Sequence, residues 1–413
     1  MNTFQDDQLS PGYNQFDEER FATELPKRHG RRAFARDKAR VLHSAGLRRL
    51  SAKTQVMSAG ADDFPRTRLT HTLEVAQIGR ELGEALGCDP DLLETACLVH
   101  DIGHPPFGHN GEEALHKASL DIGGFEGNAQ TFRLLTRLES KTIRDGRSLG
   151  LNLTRATLDA ATKYPWAFDG KNPKFGFYEE DKEIFDWVRL EVKSQAKVFE
   201  AQVMDIADDI AYSVHDIEDA IYGEHFSPLA LDAESEFKEV VKVAAKEYAQ
   251  EIDEDNLNKA LNSLIKQSWW VKSFTATQVD MAALKNMTSH LIGKFTEEIE
   301  QATKSGNKAE NFTRYNANLI VPLETKSQIA VLKAVVNLFV MQRKGAAENY
   351  AKEQDLILSI VDGLEKNPLK LDPQFKHQFD NAASSKDAKR AVIDQVASLT
   401  DSSARRLAQE FVG

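Results

Sequence analysis

Apolar residues recur at helical spacing through most of the chain from Arg28 onward, and the two-residue alternation of a half-buried strand is nearly absent. Residues 69–87 place Leu69, Leu73, Ala76, Leu82 and Leu86 on one stripe and reach Gly87, a residue that commonly ends a helix. A second helix announces itself by its N-terminal chemistry. Asp89 suits the N-cap, Pro90 the first helical position, and Asp91 and Glu94 the positive end of the dipole. This helix continues through Leu92, Leu93, Ala96 and Val99 to His100–Asp101. Gly103 and Pro105–Pro106 then stop it and leave His104 and His109 on or beside an irregular connection. A third helix is expected over 199–221, with Val203, Ala207, Ile210, Val214, Ile217 and Ile221 in one apolar seam. On it Asp208, Tyr212 and Asp216 stand at successive steps of four and share a face.

Between these helices, residues 167–176 (AFDGKNPKFG) read as a loop, and beyond Glu224 further helices follow, including a buried run over 329–341 and a segment over 402–411. Residues 1–27 are polar, acidic and aperiodic, and read as a flexible arm that contributes little to the fold. The expected organisation is all-α: that arm, a main core over 28–225, and a helical C-terminal part over 226–413 packed on the core.

Composition narrows the setting. With 413 residues, 41% of them hydrophobic and 28% charged, the chain can bury a large core without outside staples. Its two cysteines, Cys88 and Cys97, form no CxxC pair, which argues for a reducing compartment and against a disulfide framework or a thiolate zinc site. The first thirty residues lack the basic start and continuous apolar stretch of a secretory signal, and no later segment is apolar for long enough to span a bilayer. A cytoplasmic protein with no membrane partner is the expectation. A net charge of −12 weakens any general role in coating nucleic acid, but leaves room for phosphate chemistry in a local cationic pocket.

The chemistry concentrates in His71, His100–Asp101 and Asp208, three helical locations able to supply imidazole or carboxylate to one centre. Two imidazoles and two carboxylates make a mixed nitrogen and oxygen set that suits manganese, iron, cobalt or magnesium better than structural zinc. A lone histidine or His–Asp dipeptide would be an ordinary packed feature. The segment HDIGHPPFGHNGE at 100–112 changes that, because it gathers three histidines around a Pro-Pro turn. Of the adjacent acids, Asp208 continues the face of Tyr212 and Asp216, whereas Asp209 is turned away by about 100 degrees.

Several ordered blocks carry a resemblance. They are RDKARVLHSAGLRRLSAKTQV at 36–56, RTRLTHTLEVAQIGR at 66–80, HDIGHPPFGHNGEEAL at 100–115, GGFEGNAQTFRLL at 123–135, TKYPW at 162–166 and EAQVMDIADDIAYSVHDIEDA at 200–220. SLTDSSARRLAQEF near the C-terminus matches more weakly. Together they resemble the HD-domain deoxyguanosinetriphosphate triphosphohydrolase-like family. The resemblance implies an all-helical HD-domain phosphohydrolase fold with additional C-terminal helices, residues 28–225 being the catalytic unit. It implies that His71, His100, Asp101 and Asp208 hold a divalent metal, manganese or magnesium first, with iron, cobalt or nickel also able to serve. Tyr212 and Asp216 then lie near the deoxyribose, and Gln55 near the sugar and base. The implied reaction is hydrolysis of a deoxynucleoside triphosphate to deoxynucleoside and triphosphate, with water activated at the metal attacking the α-phosphorus.

Within that frame, His109 and Glu112 are expected to form an acid–base pair, the glutamate holding the imidazole and favouring its protonated form. His104 is expected to face the phosphates, as is Arg68, which shares a helix face with His71. Lys163 and Lys174 are further phosphate candidates; Glu126 and Asn128 are either substrate-side groups or caps of the helix starting near Ala129. His43, His116 and His225 are read as structural. Leu47 and Arg155 depart from an aromatic residue and a tyrosine common in the family, and both differences should touch packing or the pocket rim. The alternatives are another HD nucleotidase or phosphodiesterase, or a silent nucleotide-sensing or nucleic-acid-binding protein. Relatives further imply a homo-oligomer, possibly a hexamer, and a regulatory nucleotide or single-stranded nucleic acid as partner.

Overall fold

The computed structural model describes residues 9–24, 30–55, 66–192, 194–309, 311–342 and 346–412, and the fold is all-α. In chain order the helices are α1 (Gln15–Glu18), α2 (Ala33–Leu42), α3 (Ala45–Arg49), α4 (Arg68–Ala85), α5 (Pro90–Val99), α6 (Gly108–Ala118), α7 (Gly127–Arg133), α8 (Arg155–Ala160) and α9 (Lys182–Val188). They continue as α10 (Phe199–Tyr222), α11 (Glu234–Val243), α12 (Glu254–Ile265), α13 (Gln278–Gly306), α14 (Leu323–Val336), α15 (Ala346–Lys366), α16 (Pro373–Asp380), α17 (Ser385–Ser398) and α18 (Asp401–Val412). Among the described residues the strands are limited to a two-residue antiparallel pair, β1 (Ile143–Arg144) and β2 (Arg147–Ser148). No helix among them is long and apolar enough to cross a membrane.

The three helices that matter most form for local reasons. In α4 the Thr67 side chain caps the first turn by accepting from Thr70 N–H, and Gly87 takes a left-handed conformation (φ +86) just past the C-terminus. In α5 the Asp89 carboxylate accepts from the N–H groups of Asp91 and Leu92, with Pro90 at the first position. The predicted seam of α10 is buried throughout. Leu73 is the exception on α4: it is 50% exposed, so the buried stripe runs through Val75, Ala76, Ile78 and Leu82 instead. The apolar run over 329–341 is likewise only partly interior. Residues 329–336 are buried apart from the half-buried Lys333, whereas Asn337, Leu338, Phe339 and Met341 are half-buried, and Lys333 and Met341 line a cleft.

One hydrophobic core joins residues from Tyr13 to Ala408, so apolar packing is continuous across the expected boundary at 225. The arm expectation fails for residues 9–24, while 1–8 and 25–27 lie outside the described residues. Tyr13 is buried and donates to Glu200 at 2.8 Å, Ser10 donates to Asp89 at 2.7 Å, and Arg20 pairs with Asp37 at 2.6 Å. Long-range polar partners turn a stretch that looks disordered by composition into part of the fold.

Arg155 explains how this stretch is held. Its guanidinium lies between the rings of Phe16 and Trp187, 3.7 and 3.9 Å from their centroids, and donates to the carbonyls of Phe16 and Trp187 and to Glu19. The residue therefore serves packing and stands away from the cleft. Arg155→Met should lower the unfolding free energy by about 2–3 kcal/mol, since the buried guanidinium's ring contacts and hydrogen bonds are lost together. Urea denaturation would show this as a lower midpoint, and an unchanged midpoint would refute the clamp.

Candidate active site

His71 in the first turn of α4, His100 just past α5, the adjacent Asp101, and Asp208 on α10 meet where the three helices cross. His71 Nε2 lies 3.0 Å from Asp208 Oδ1, and His100 Nε2 lies 3.5 Å from Asp101 Oδ1 and 3.6 Å from Asp208 Oδ1. His71, His100 and Asp101 each offer a ligand atom within 4.8 Å of the others, and all three are buried. Asp209 is turned to Lys333 at 2.5 Å, and both line the larger part of the same cleft as Asp208. Gly103 permits the tight turn after the His–Asp pair, because a Cβ there would stand 2.1 Å from the Gly127 carbonyl oxygen.

The side chains fit a divalent cation. His100 Nδ1 lies 2.7 Å from the Cys97 carbonyl, to which only a protonated nitrogen can donate, so in the neutral ring Nε2 carries the lone pair. That lone pair is buried, has no hydrogen-bond partner among the described residues, and faces two carboxylate oxygens. Acceptors converging on acceptors are stable only around a positive charge. Burial acts to raise the Asp101 and Asp208 carboxyls, but the histidines and, respectively, Arg68 and Lys163 hold both well below the usual carboxylate range.

The predicted phosphate-side groups surround this cluster, in arrangements the sequence did not disclose. Arg68 is buried and donates to Asp101 Oδ2 at 2.6 Å, so it braces a carboxylate as well as lining the cleft. Lys163 pairs with Asp205 at 2.5 Å and stands 3.8 Å from Asp208. Lys174 reaches in from the 167–176 loop to Glu112 at 2.9 Å and Glu126 at 3.2 Å. Glu126 caps α7 through the N–H groups of Asn128 and Ala129, and the Asn128 amide donates to it at 3.0 Å.

The expected His109–Glu112 pair is not formed. Glu112 instead stands 3.3 Å from His104 Nδ1, and His104 Nε2 is 3.2 Å from Asp101 Oδ1. The string Asp101, His104, Glu112 and Lys174 is thus continuous. Burial and Arg68 oppose protonation of His104, yet Asp101 and Glu112 raise its pKa overall. His109 contacts the His104 ring edge-on at 5.5 Å and opens to the cleft. Protein packed around its base, and then the neighbouring His104, push its pKa down to about 4, outweighing the opposite effect of Glu112. His109 and Glu112 share α6, which follows Phe107 in a left-handed conformation (φ 63), and the helix packs with the Glu112 carboxylate against His104 of the preceding turn.

Two adjoining cavities form the cleft, of about 230 and 520 Å³, sharing Gln55, His109, Asp208, Tyr212 and Met341. The smaller holds His100, Asp101, His104 and the cationic groups; the larger is walled by Phe107, Tyr248 and Tyr350 with Lys333 and Glu353. Gln55 Oε1 is buried without a partner among the described residues. The C-terminal contributors Lys333, Met341, Tyr350 and Glu353 carry no sequence signal beyond helical periodicity and escaped the sequence reading. His43, His116 and His225 lie outside both cavities. A separate cavity of about 810 Å³, between α3 and α18, is lined by His43, Arg48, Arg49 and Arg406 and contains none of the metal-cluster residues.

Asp216, expected beside the sugar, lies one turn beyond Tyr212, is buried and lines neither cavity. Burial, against the pull of His71, pushes its carboxyl up to about 8. The folded protein therefore holds this proton more tightly than the unfolded chain. The stabilisation is complete below the ordinary carboxylate range and is lost as pH rises towards 8. In Asp216→Asn the unfolding free energy should fall less between about pH 5 and pH 8, the two proteins diverging by up to about 4 kcal/mol. Urea titrations of chelator-treated protein at several pH values test this; parallel pH curves for both proteins would rule it out.

Residues 68–213 match the HD domain family, and residues 319–410 match the phosphohydrolase-associated domain family. The chain is 50% identical over 406 residues to a deoxyguanosinetriphosphate triphosphohydrolase-like protein of Streptomyces coelicolor, covering 95% of this chain and 96% of that relative. It is 46% identical over 409 residues to the like-named protein of Bifidobacterium longum, covering 96% and 86%. A like-named Vibrio vulnificus protein is 32% identical over 436 residues, covering 92% and 93%.

Proposed function

The chain belongs to the deoxyguanosinetriphosphate triphosphohydrolase-like family of HD-domain metal-dependent phosphohydrolases, and on that premise we propose that it splits deoxynucleoside triphosphates into deoxynucleoside and triphosphate. The observation that carries this reading is the position of the His71, His100, Asp101 and Asp208 cluster. It lies at the junction of a small cationic cavity and a larger one with aromatic walls. Phosphates fit the first and a nucleoside the second, so the α-phosphorus falls between them.

A divalent cation held by those four residues would polarise a phosphate oxygen and lower the pKa of coordinated water. The chain's own residues do the rest. Lys163, Lys174 and Arg68 exchange part of their carboxylate pairing for phosphate oxygens, each gaining a charge-assisted contact. His104 and Asn128 close the same side. The unpartnered Gln55 Oε1 accepts from a sugar hydroxyl or base amine, and Tyr212 walls the sugar.

His109 is the general acid. As water adds to the α-phosphorus and the bond to the 5′ oxygen breaks, the His109 imidazolium gives its proton to that oxygen, a poor leaving group. The low pKa of His109 without substrate rises once polyphosphate charge enters the cleft. Glu112 acts by holding His104 and Lys174 rather than by holding His109.

Incubating the manganese- or magnesium-loaded protein with all four deoxynucleotides and their ribose counterparts tests the reading. Equimolar triphosphate and nucleoside are expected; release of inorganic phosphate or pyrophosphate would instead establish a different phosphohydrolase. Cytoplasmic residence and assembly into a homo-oligomer, with a second nucleotide or single-stranded nucleic acid as regulator, complete the proposal. The arginine-lined 810 Å³ cavity supports the regulatory part. Light scattering with and without deoxynucleotides checks assembly, and a strictly monomeric active enzyme would refute it.

A further inference from the structure

The C-terminal helices do more than cover the HD core, because they reach the two stretches of chain that carry Gln55 and His109. Asp401, the first residue of α18, is buried and lines neither cavity of the cleft. Its Oδ2 accepts from the Thr54 backbone N–H at 2.9 Å and from the Thr54 hydroxyl at 2.5 Å. Its Oδ1 accepts from the Phe107 backbone N–H at 3.0 Å. Thr54 immediately precedes Gln55, and Phe107 stands two residues before His109. One carboxylate thus ties both stretches together.

Phe107 has particular need of a tie. Its left-handed backbone is disfavoured for any residue with a Cβ, and it occupies the N-cap of α6 without offering a side-chain cap. The same helix also holds its ring. Arg405, one turn beyond Asp401, places its guanidinium 4.8 Å from the Phe107 centroid and 3.5 Å from Glu353. Glu353 in turn accepts from the side chain of Asn110, the neighbour of His109, at 3.0 Å. Lys53 adds a contact to α17, donating to the carbonyls of His104 at 2.5 Å and Ala397 at 3.0 Å. The cluster of His71, His100, Asp101 and Asp208, by contrast, is built on α4, α5 and α10 and has His104, through Asp101, as its one direct contact with these groups among the described residues.

We propose that Asp401 is a positioning residue for the hydrolytic centre: by locking the backbones of Thr54 and Phe107 to α18 it sets the aim of Gln55 and His109 without touching substrate or metal. The inference rests on the roles given to those two residues above. It also assigns a task to the SLTD stretch at 398–401, which the metal and phosphate chemistry leaves unused. Loss of the tie frees residues 54–55 and 107–110 while the metal cluster stays assembled, so the proton donor loses its aim but the cation is retained. Misplacement of a reacting group by about 1 Å costs on the order of 100-fold in rate.

Asp401→Asn is the test, read by kcat, KM, bound metal and amide hydrogen exchange. The expected result is a kcat lower by about 10- to 100-fold, a KM raised several-fold as Gln55 loses its aim, unchanged metal content, and faster exchange confined to 53–55 and 105–110. Asp362→Asn, which loses only an exposed contact to Lys366 on α15, should keep the parent kcat. Wild-type kcat together with wild-type exchange in Asp401→Asn overturns the proposal. If Asp401→Asn does not fold, Arg405→Met decides, since Arg405 is half-exposed: faster exchange at 107–110 with a several-fold lower kcat supports the proposal, and parental behaviour overturns it. Should the wild-type protein release no triphosphate, the proposed function fails, while the exchange comparison still settles whether Asp401 locks these segments.

Discussion

Asp208→Asn is expected to leave the protein folded but with little bound metal and with triphosphate release reduced by about 1,000-fold or more. Asp208 is the carboxylate that both histidines face, at 3.0 Å from His71 and 3.6 Å from His100. The amide keeps the shape of the side chain and its place on α10. It removes the charge that lets two imidazole nitrogens and a second carboxylate share a cation, and it can turn a donor N–H towards them. The neighbouring Lys163, already paired with Asp205, then adds uncompensated positive charge to the site. Metal analysis after extensive dialysis, with triphosphate assayed on the same sample, provides the measurement. Parental metal content together with parental turnover would remove Asp208 from the centre. Chelation of the wild-type protein should give the same loss, reversed by added manganese, and that comparison separates loss of the ion from damage to the fold.

His109→Ala should lower kcat by about 100- to 10,000-fold, the range for loss of a general acid, with metal content and nucleotide binding retained. The imidazole lies open to the cleft, in contact with His104 but outside the metal cluster, so its removal disturbs neither ion nor fold. The pH dependence carries the sign of the mechanism. A required acid is active only while protonated, so activity falls as pH rises through its pKa. Without substrate, burial and the neighbouring His104 hold that pKa low, and bound polyphosphate raises it. The falling limb of kcat, which reports the complex, should therefore lie at higher pH than that of kcat/KM, which reports the free enzyme. Both limbs should vanish in His109→Ala; near-parental turnover in this variant would exclude His109 as the acid.

The helices that carry His71, His100, Asp101 and Asp208 are legible in the sequence because their signals are local. Asp89 and Pro90 start α5, Gly87 ends α4, and the seam of α10 repeats at 3.6 residues. The choice of Asp208 over Asp209 follows from the same periodicity; the two carboxylates take different partners, His71 for Asp208 and Lys333 for Asp209. Residues 9–24 were not legible, since Tyr13 and Ser10 find their partners at Glu200 and Asp89, far along the chain. The partnership of Glu112 was misread for a different reason. A three-residue spacing shows that two side chains can meet, but the packing of α6 against the turn that carries His104 decides which imidazole the carboxylate faces.

From its residues alone, then, this chain determined where helices begin and end, which of their faces are apolar, and which imidazoles and carboxylates are available, because backbone hydrogen bonding and periodicity act over a few positions. Tertiary structure alone decided which charges neutralise one another, that Met341, Tyr350 and Lys333 wall the cleft, and that Asp401 reaches across to Phe107. Those contacts join segments hundreds of residues apart, and their energies depend on burial and angle, which exist only once the helices have packed.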